Sequence, residues 1–427
     1  MIRKIFQSSL AKDVGIYTIT NIINASIPFL LLPVLTRYMS PSDYGIVAMF
    51  TVLIAFVSPF TGLNVVGAIQ RQFYENEKIN LPVYVTNCLL VLICSSALVF
   101  LVFYFFADQI SAVSSFPKRW LWAVVAIAIA QFITLINLSL WQMQLKARMF
   151  GFYQIVQTAM NIGLSVLFVV GLGMAWQGRI QAQLLTMITF GLLSLFILYK
   201  SGWINCSFRK PYIQNALKFG VPLVPHVLGG VMLTMTDRFF ITNMVGIEAT
   251  GLYAVGYQLG MVIGLFGESF NRAYVPWLFD KLKQNHHSAK IMIVKTTYAY
   301  FFFIVIFAIG LSFLAPRFLS FFVGEKFTSA SVYVFWIALA YAFSCMYKMV
   351  VNYIFYIQKT YILAWVTFFC AVINVPLNYV LITWNGSVGG AQAHALTFFI
   401  FFLMTWTLSS RVYKMPWLSV FFFRHEA

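Results

Sequence analysis

Apolar runs of about 20 residues recur along almost the whole of this chain, and few charged side chains interrupt them. A helix needs about 20 consecutive apolar residues to cross the hydrocarbon core of a bilayer. Of the 427 residues, 61% are hydrophobic and 9% are charged, whereas about 25% are charged in an ordinary soluble domain. The sequence therefore predicts an all-α polytopic membrane protein. A porin-like barrel is excluded because the runs are continuous rather than alternating.

Turn-forming residues divide the apolar sequence into twelve predicted membrane-spanning helices. These cover residues 13–36, 43–69, 83–106, 119–143, 151–173, 179–199, 217–243, 250–275, 291–315, 330–357, 361–383 and 387–410. The predicted organisation is an N-terminal six-helix bundle (1–200), a cytoplasmic linker (201–216), a C-terminal six-helix bundle (217–410) and a cytoplasmic interfacial tail (411–427).

Basic residues are distributed unevenly between the two ends of the predicted helices. With twelve spans both termini lie on one side, and that side holds 19 Lys and Arg residues against 6 on the other. Positive charge is enriched on the cytoplasmic side of membrane proteins, so we predict that both termini are cytoplasmic. The formal net charge of +17 then faces anionic lipid headgroups, and nucleic acid is not needed as a partner.

A weak internal repeat relates the two halves of the sequence. When the chain is shifted by 206 residues, identical residues coincide at four positions around the junction between an odd and an even predicted helix: Thr36 with Thr242, Gly45 with Gly251, Ala48 with Ala254 and Leu53 with Leu259. Each half then contains six helices, so both halves insert in the same direction. Parallel repeats of this kind are typical of alternating-access carriers.

Six ionisable residues inside the predicted spans are candidates for a functional site. A charged side chain in the centre of a bilayer costs about 3 kcal/mol or more, so each should face a partner or a hydrated cavity. These residues are His226, Asp237, Arg238, Glu268, Arg272 and Lys348.

The spacing of these residues leaves structural and functional interpretations open. Glu268 and Arg272 are spaced for an ion pair within one helix, and Asp237 next to Arg238 is compatible with a second neutralising pair. Lys348 has no carboxylate three or four residues away, which favours a role as an anion ligand. His226 fits either a hydrogen-bonded buried histidine or a proton carrier.

Amide side chains give the N-terminal half a milder polar character. Asn21 and Asn24 lie in the first predicted helix, where they are suited to sugar hydroxyls or to hydrogen bonds between helices.

The sequence contains no Walker A loop, no GxSxG and no HExxH motif. Its five cysteines form no CxxC pair. We therefore expect a protein that is not an enzyme and that requires no metal or other cofactor. Energy would come from an ion gradient, the membrane potential or removal of the substrate.

Two stretches of the chain resemble a known family. Residues 29–41 and 43–45 are similar to the helix 1–2 signature of bacterial polysaccharide transporters, the O-antigen and capsule repeat-unit flippases of the Wzx type. Residues 218–225, 236–238 and 251–254 resemble the helix 7–8 signature of the same proteins. One departure is Ser40-Pro41, where the family often has Leu-Gly. The resemblance implies the fold of the MOP exporter superfamily, which is also that of the MATE exporters.

This resemblance implies a flippase that moves a polyprenyl-diphosphate-linked oligosaccharide from the cytoplasmic to the outer leaflet of the bacterial inner membrane. Its partners would be the lipid-linked substrate, the bilayer, and an O-antigen polymerase with its chain-length regulator. Three cations, Arg238, Arg272 and Lys348, would contact the diphosphate, and Asn21 and Asn24 the sugars. The ion-coupling candidates are then Glu268, Asp237 and His226.

Two other functions are compatible with the sequence. A cation-coupled multidrug exporter of the same superfamily would need acidic residues in its cavity, whereas the spans here hold one more cation than carboxylate. A non-transporting membrane scaffold for glycosyltransferases would tolerate changes to the charges inside the spans.

Overall fold

The computed structural model describes Thr20 and residues 29–75, 79–284 and 286–417. Within these ranges the chain is helical and contains no β-strand. The α-helices of this part are α1 (Phe29–Tyr38), α2 (Pro41–Val57), α3 (Val66–Tyr74), α4 (Leu81–Phe105), α5 (Ala107–Ser114), α6 (Leu121–Met143), α7 (Ala147–Val166), α8 (Ala175–Lys200), α9 (Lys210–Gly220), α10 (Val224–Met244), α11 (Ile247–Gln284), α12 (His287–Phe322), α13 (Ser331–Tyr356), α14 (Tyr361–Asn385) and α15 (Ser387–Val412).

The helices confirm the predicted all-α membrane fold. In the described residues, 10 helical segments are long and apolar enough to cross a bilayer, and α1 and α2 are shorter apolar helices. Each of the twelve predicted spans overlaps one of these elements. The agreement follows from hydropathy, because backbone groups in lipid must be hydrogen-bonded within a helix or a closed barrel.

The predicted continuous helix 43–69 is wrong. Helix α2 ends at Val57 and α3 begins at Val66, and the backbone between them has positive φ at three consecutive residues, Gly62, Leu63 and Asn64. Pro59 lies at the start of this break, and a proline lacks the N–H group that a continuing helix requires. The second predicted span is therefore two helices joined by an irregular turn.

Part of the predicted linker 201–216 is helical and packed. Helix α9 begins at Lys210, and its Asn215 accepts hydrogen bonds from Tyr84 of α4 (2.9 Å) and Gln72 of α3 (3.1 Å). At the end of α9, a methyl group on Gly220 would overlap the carbonyl oxygen of Leu63. Glycine thus lets the α9 end lie directly against the α2–α3 turn.

The chain divides into two compact units, one that ends at Val231 and one that begins at Met232. The first has a core of α3, α4, α6 and α9 side chains that includes Ile69, Tyr84 and Ile136. The second has a core built mainly from α11, α12 and α13. The division falls within α10, after the predicted linker, and the assignment of six helices to each bundle stays a prediction.

Within the second unit, glycines let α11 approach α13 closely. Gly256, Gly260 and Gly264 repeat every four residues, so they lie along one face of α11. A Cβ atom at Gly260 would lie 2.6 Å from the side chain of Ile337, and one at Gly264 would lie 2.5 Å from the ring of Tyr341. Small residues at this spacing are a common way to pack membrane helices. The close contact between α11 and α13 therefore sets which residues of the two helices lie side by side, including the charged residues further along each helix.

The chain segment after α15 packs back onto the second unit. The carbonyl oxygen of Trp417 accepts a hydrogen bond from the hydroxyl of Tyr298 (3.1 Å). The indole ring of Trp417 lies 5.4 Å from that of Trp406. The described beginning of the predicted interfacial tail is therefore anchored on the helices.

Candidate functional site

Three charged residues from two helices form an ion triad in the second unit. Glu268 and Arg272 lie one turn apart on α11, and Lys348 lies on α13. The Lys348 Nζ is 2.6 Å from Glu268 Oε2, and the Arg272 Nε is 3.5 Å from Glu268 Oε1. This arrangement contains two cations and one carboxylate. It explains the position of Lys348, whose partner comes from a neighbouring helix rather than from its own.

The triad is accessible from outside the protein core. The exposed fractions of the side chains are 45% for Glu268, 54% for Arg272 and 27% for Lys348. A buried structural ion pair would be enclosed on all sides, whereas these groups retain surface for a ligand. The triad can therefore exchange its internal contacts for contacts with an anion.

An amide pair extends the polar surface next to the triad. Asn352 of α13 donates from Nδ2 to Asn271 Oδ1 (3.1 Å) and to the carbonyl oxygen of Lys348 (2.8 Å). Asn271 lies immediately before Arg272 on α11. The amide groups add donors and acceptors for neutral polar ligands such as sugar hydroxyls.

A second cluster is buried and centred on Asp237 of α10. The Asp237 side chain is 1% exposed, and Tyr253 of α11 donates a hydrogen bond to its Oδ2. His394 of α15 places its Nδ1 3.2 Å from the same oxygen. On the other oxygen, Oδ1, the Arg238 guanidinium lies at 3.3 Å. Three side chains from three helices thus surround one carboxylate.

Arg238 is held by contacts on several sides. Its NH1 group donates to the carbonyl oxygen of Thr234 (2.8 Å), and its guanidinium lies 4.2 Å from the ring centre of Tyr257. The Tyr257 hydroxyl accepts a hydrogen bond from Tyr341 (2.9 Å). With 6% of its surface exposed, Arg238 offers much less area to a ligand than Arg272 does.

Three other residues were predicted to belong to the site. His226 is exposed in the first unit, at the beginning of α10. Asn21 and Asn24 lie outside the described residues.

Sequence reasoning missed His394 and the three tyrosines around the Asp237–Arg238 pair. Tyrosine is common at the ends of membrane helices, so Tyr253, Tyr257 and Tyr341 carried no distinctive signal. The position of His394 on an apolar helix did provide one, because an ionisable residue in a span needs a polar partner.

A partly buried cation of the first unit was also missed. Arg179 was assigned to a helix end, yet it lies within α8 and its NH1 group donates to Asn161 Oδ1 (2.7 Å) and Ser165 Oγ (2.8 Å). These neutral acceptors on α7 stabilise the guanidinium within the bundle.

Metal binding has no support from residue clustering in the described ranges. No group of three or more His, Cys, Asp or Glu side chains is close enough there to hold a metal ion.

Comparison with known proteins gives both a family and a fold. A family described as polysaccharide biosynthesis protein matches residues 10–282, more than half of the chain. An uncharacterized membrane protein of Haemophilus influenzae is 28% identical over 388 residues, which cover 90% of this chain and 90% of that protein.

Two solved structures share the fold at low sequence identity. The lipid II flippase MurJ in an inward closed conformation has a TM-score of 0.72 and 17% identity, covering 93% of this chain and 87% of that one. An inward-facing multidrug resistance MATE family transporter of the MOP superfamily has a TM-score of 0.69 and 12% identity, covering 91% and 94%. These similarities confirm the predicted MOP-type fold.

Proposed function

This chain belongs to the polysaccharide biosynthesis protein family, and we propose that it is a flippase for a polyprenyl-diphosphate-linked oligosaccharide, an O-antigen or capsule repeat unit. It moves this lipid from the cytoplasmic to the outer leaflet of the bacterial inner membrane by alternating access. Both termini are cytoplasmic in this proposal, which the distribution of basic residues supports. A polymerase and its chain-length regulator receive the product.

The observation that most strongly supports this proposal is the open ion triad. Arg272 and Lys348 share one carboxylate, Glu268, so the triad carries an excess positive charge within membrane-spanning helices. An excess cation in a span is costly unless it meets water or an anion. A lipid diphosphate brings oxygen acceptors and negative charge to the level of the triad, where Lys348 and Arg272 form charge-assisted hydrogen bonds with it.

The adjacent amides suit the remainder of such a substrate. Asn271 and Asn352 lie next to the triad residues on α11 and α13, so a diphosphate at the triad places its first sugar within reach of them. Asn21 and Asn24 are proposed as further sugar contacts. Arg238 stays a proposed diphosphate contact. Because Arg238 is only 6% exposed, whereas Arg272 and Lys348 are 54% and 27% exposed, the latter two are favoured for the first contact.

We assign ion coupling to Glu268 and Asp237. Each carboxylate contacts at least one cation, so its protonation weakens that contact and links ion binding to a rearrangement of helices. His226, which is exposed, remains a third coupling candidate.

Glu268→Gln is expected to abolish the pH dependence of transport while the protein still inserts in the membrane. The glutamine retains the size of glutamate and one acceptor oxygen, but its amide group does not exchange a proton in this pH range. Initial rates of lipid-linked oligosaccharide transport in vesicles, measured across a range of pH, test this. Glu325→Gln, outside the triad in an exposed turn, is the matched control and should keep the wild-type profile. A wild-type profile in Glu268→Gln would show that Glu268 does not couple transport to protons.

The two rival functions make different predictions. A multidrug exporter would move organic cations, which the excess positive charge of the triad disfavours. A glycosyltransferase scaffold would support surface polysaccharide even when the two cations of the triad are removed.

Cells that carry the Arg272→Gln/Lys348→Gln variant in place of the wild type test the proposal against the scaffold. The flippase proposal predicts loss of surface polysaccharide and accumulation of the lipid-linked repeat unit at unchanged protein level. Normal surface polysaccharide with this variant would support the scaffold instead.

A further inference from the structure

A basic pocket lies at one end of the second unit, away from the two charged clusters described above. It has a volume of about 460 Å³ and is lined by Leu282, Lys283, Lys290, Tyr356, Val412, Tyr413 and Lys414. These residues come from the ends of α11, α13 and α15, the start of α12, and the segment after α15. The volume is within the range of small-molecule binding sites, about 300–1,000 Å³.

Three lysines give the pocket a strong positive charge. Lys283, Lys290 and Lys414 make no salt bridge with any carboxylate in the part of the chain that the structure describes. The Lys290 ammonium lies 5.6 Å from the ring centre of Tyr413, which favours its position beside the pocket. The carboxylate of Asp280, three residues before Lys283, accepts a hydrogen bond from Gln284 (3.0 Å) and forms no salt bridge with these lysines. The three ammonium groups therefore present an unneutralised site for an anion.

The pocket has a rigid wall of aromatic and aliphatic residues. The Tyr413 ring lies 5.8 Å from that of Tyr353 and 5.9 Å from that of Tyr356, and Leu282 is 2% exposed. Anchoring of Trp417 on Tyr298 holds the segment that contains Tyr413 and Lys414. The side of the pocket that Tyr413 and Lys414 form is therefore held in place by packing.

The location matches the boundary between lipid and water. Helix α11 has 38 residues, so it is about 57 Å long and extends well beyond a hydrocarbon core of about 30 Å. Leu282 and Lys283 lie in its last turn, where the helix leaves the apolar region. Basic pockets between membrane helices at this level bind phosphate-containing lipid headgroups.

We propose that this pocket binds an anionic phospholipid of the adjacent leaflet, with its phosphate between Lys283, Lys290 and Lys414. The acyl chains then extend from the headgroup into the bilayer. The position of the three lysines at the ends of membrane-spanning helices matches the headgroup of a phospholipid better than a free phosphate ion, because the acyl chains hold the lipid phosphate at that level. The site is separate from substrate transport, so the flippase proposal and this one can fail independently.

Binding of phosphatidylglycerol to the purified full-length protein tests the proposal, with phosphatidylcholine as the zwitterionic comparison. Native mass spectrometry in a neutral detergent gives the affinity of each lipid. The Lys283→Ala/Lys290→Ala/Lys414→Ala variant should bind phosphatidylglycerol roughly 100-fold more weakly, since each lysine near a lipid surface contributes about fivefold. The corresponding arginine variant keeps the charge and should keep most of the affinity.

A variant with the same loss of charge elsewhere is the matched control. Lys146, Lys200 and Lys359 are exposed and do not line the pocket, so their replacement by alanine should leave the affinity within about twofold of the wild type. Equal losses in both alanine variants would overturn the proposal, because they would show non-specific attraction.

Competition with inorganic phosphate tests whether the pocket binds the headgroup of a lipid or a free phosphate ion. The proposal predicts that it displaces phosphatidylglycerol only weakly, since it lacks the acyl chains that hold the lipid in the apolar layer around the protein. Displacement by phosphate at an affinity equal to that of the lipid would show a simple anion site and contradict lipid binding. The single variant Lys414→Ala, which changes an exposed side chain, provides a second measurement with little effect on folding and should weaken binding severalfold.

Discussion

Lys348→Gln is expected to lower translocation of a lipid-linked oligosaccharide by about 10- to 100-fold. The Lys348 ammonium is the triad cation that lies closest to Glu268, at 2.6 Å, and 27% of its side chain remains exposed to a ligand. A hydrogen bond to a charged group contributes about 1.5–3 kcal/mol, which corresponds to roughly 10- to 100-fold in affinity. Without the ammonium, Glu268 also repels the approaching diphosphate. The measurement is the initial rate of translocation in vesicles at equal amounts of protein.

Two further substitutions separate a role in substrate binding from an effect on charge alone. Lys359→Gln removes an exposed lysine from the turn after α13 and should leave the rate within about twofold of the wild type. Lys348→Arg retains the positive charge and should keep a substantial part of the rate. If Lys348→Gln transports as fast as Lys359→Gln does, the triad does not bind the substrate.

Asp237→Ala is expected to destabilise the protein by about 3–5 kcal/mol. The Asp237 side chain is 1% exposed and is the counter-ion of Arg238, which is 6% exposed. Removing one partner of a buried ion pair leaves an uncompensated buried charge, and this costs about 3–5 kcal/mol. The substitution also leaves the hydroxyl of Tyr253 without its acceptor. The free energy of unfolding of the purified protein in detergent provides the measurement.

An exposed ion pair in the first unit is the control for this prediction. Asp108 accepts from Lys118 at 2.6 Å, but their side chains are 80% and 56% exposed. Asp108→Ala should therefore change the free energy of unfolding by less than about 1 kcal/mol. If Asp237→Ala and Asp108→Ala have equal effects, the Asp237 cluster does not stabilise the fold.

The double variant Asp237→Asn/Arg238→Met tests whether the two charges act as a pair. Removing both charges avoids leaving one of them buried alone, so the double variant should be more stable than Asp237→Ala. The difference in the free energy of unfolding, compared with the single variants, gives the coupling between the residues.

Hydropathy predicted the membrane helices well because lipid leaves the backbone few alternatives. The same criterion did not detect the break between α2 and α3, since Phe60, Leu63 and Val65 keep the segment apolar. The signal was present in Pro59 and Gly62, which disfavour a continuing helix. Helix α9 was missed for the opposite reason: its charged and polar residues indicate a linker, and its packing depends on contacts with α3 and α4.

The candidate site could be predicted only in part. The four-residue spacing of Glu268 and Arg272 predicted their contact, because neighbours one turn apart meet on a helix surface. The pairing of Lys348 with Glu268 depends on how α11 and α13 align, and sequence spacing contains no direct information on that. The glycines at 256, 260 and 264 are spaced for a close helix contact, but their spacing does not identify the partner helix.

Most contacts of the Asp237 cluster could not be predicted from sequence spacing either. Asp237 and Arg238 are adjacent in the sequence, so their pairing was an open interpretation from the start. The contacts of His394 and Tyr253 with Asp237 join α15 and α11 to α10. Residues that are far apart in the chain meet only through the packing of three helices, and no local pattern predicts such a meeting.

Translocation by the purified protein in vesicles is the most direct test of the proposed function. The protein is inserted into liposomes that contain a fluorescent polyprenyl-diphosphate-linked oligosaccharide, and a membrane-impermeant quencher reports which leaflet contains the label. We predict protein-dependent transfer of the labelled lipid between leaflets, lost in Arg272→Gln/Lys348→Gln. A rate equal to that of protein-free liposomes, in vesicles where the same protein transports organic cations, would contradict the account.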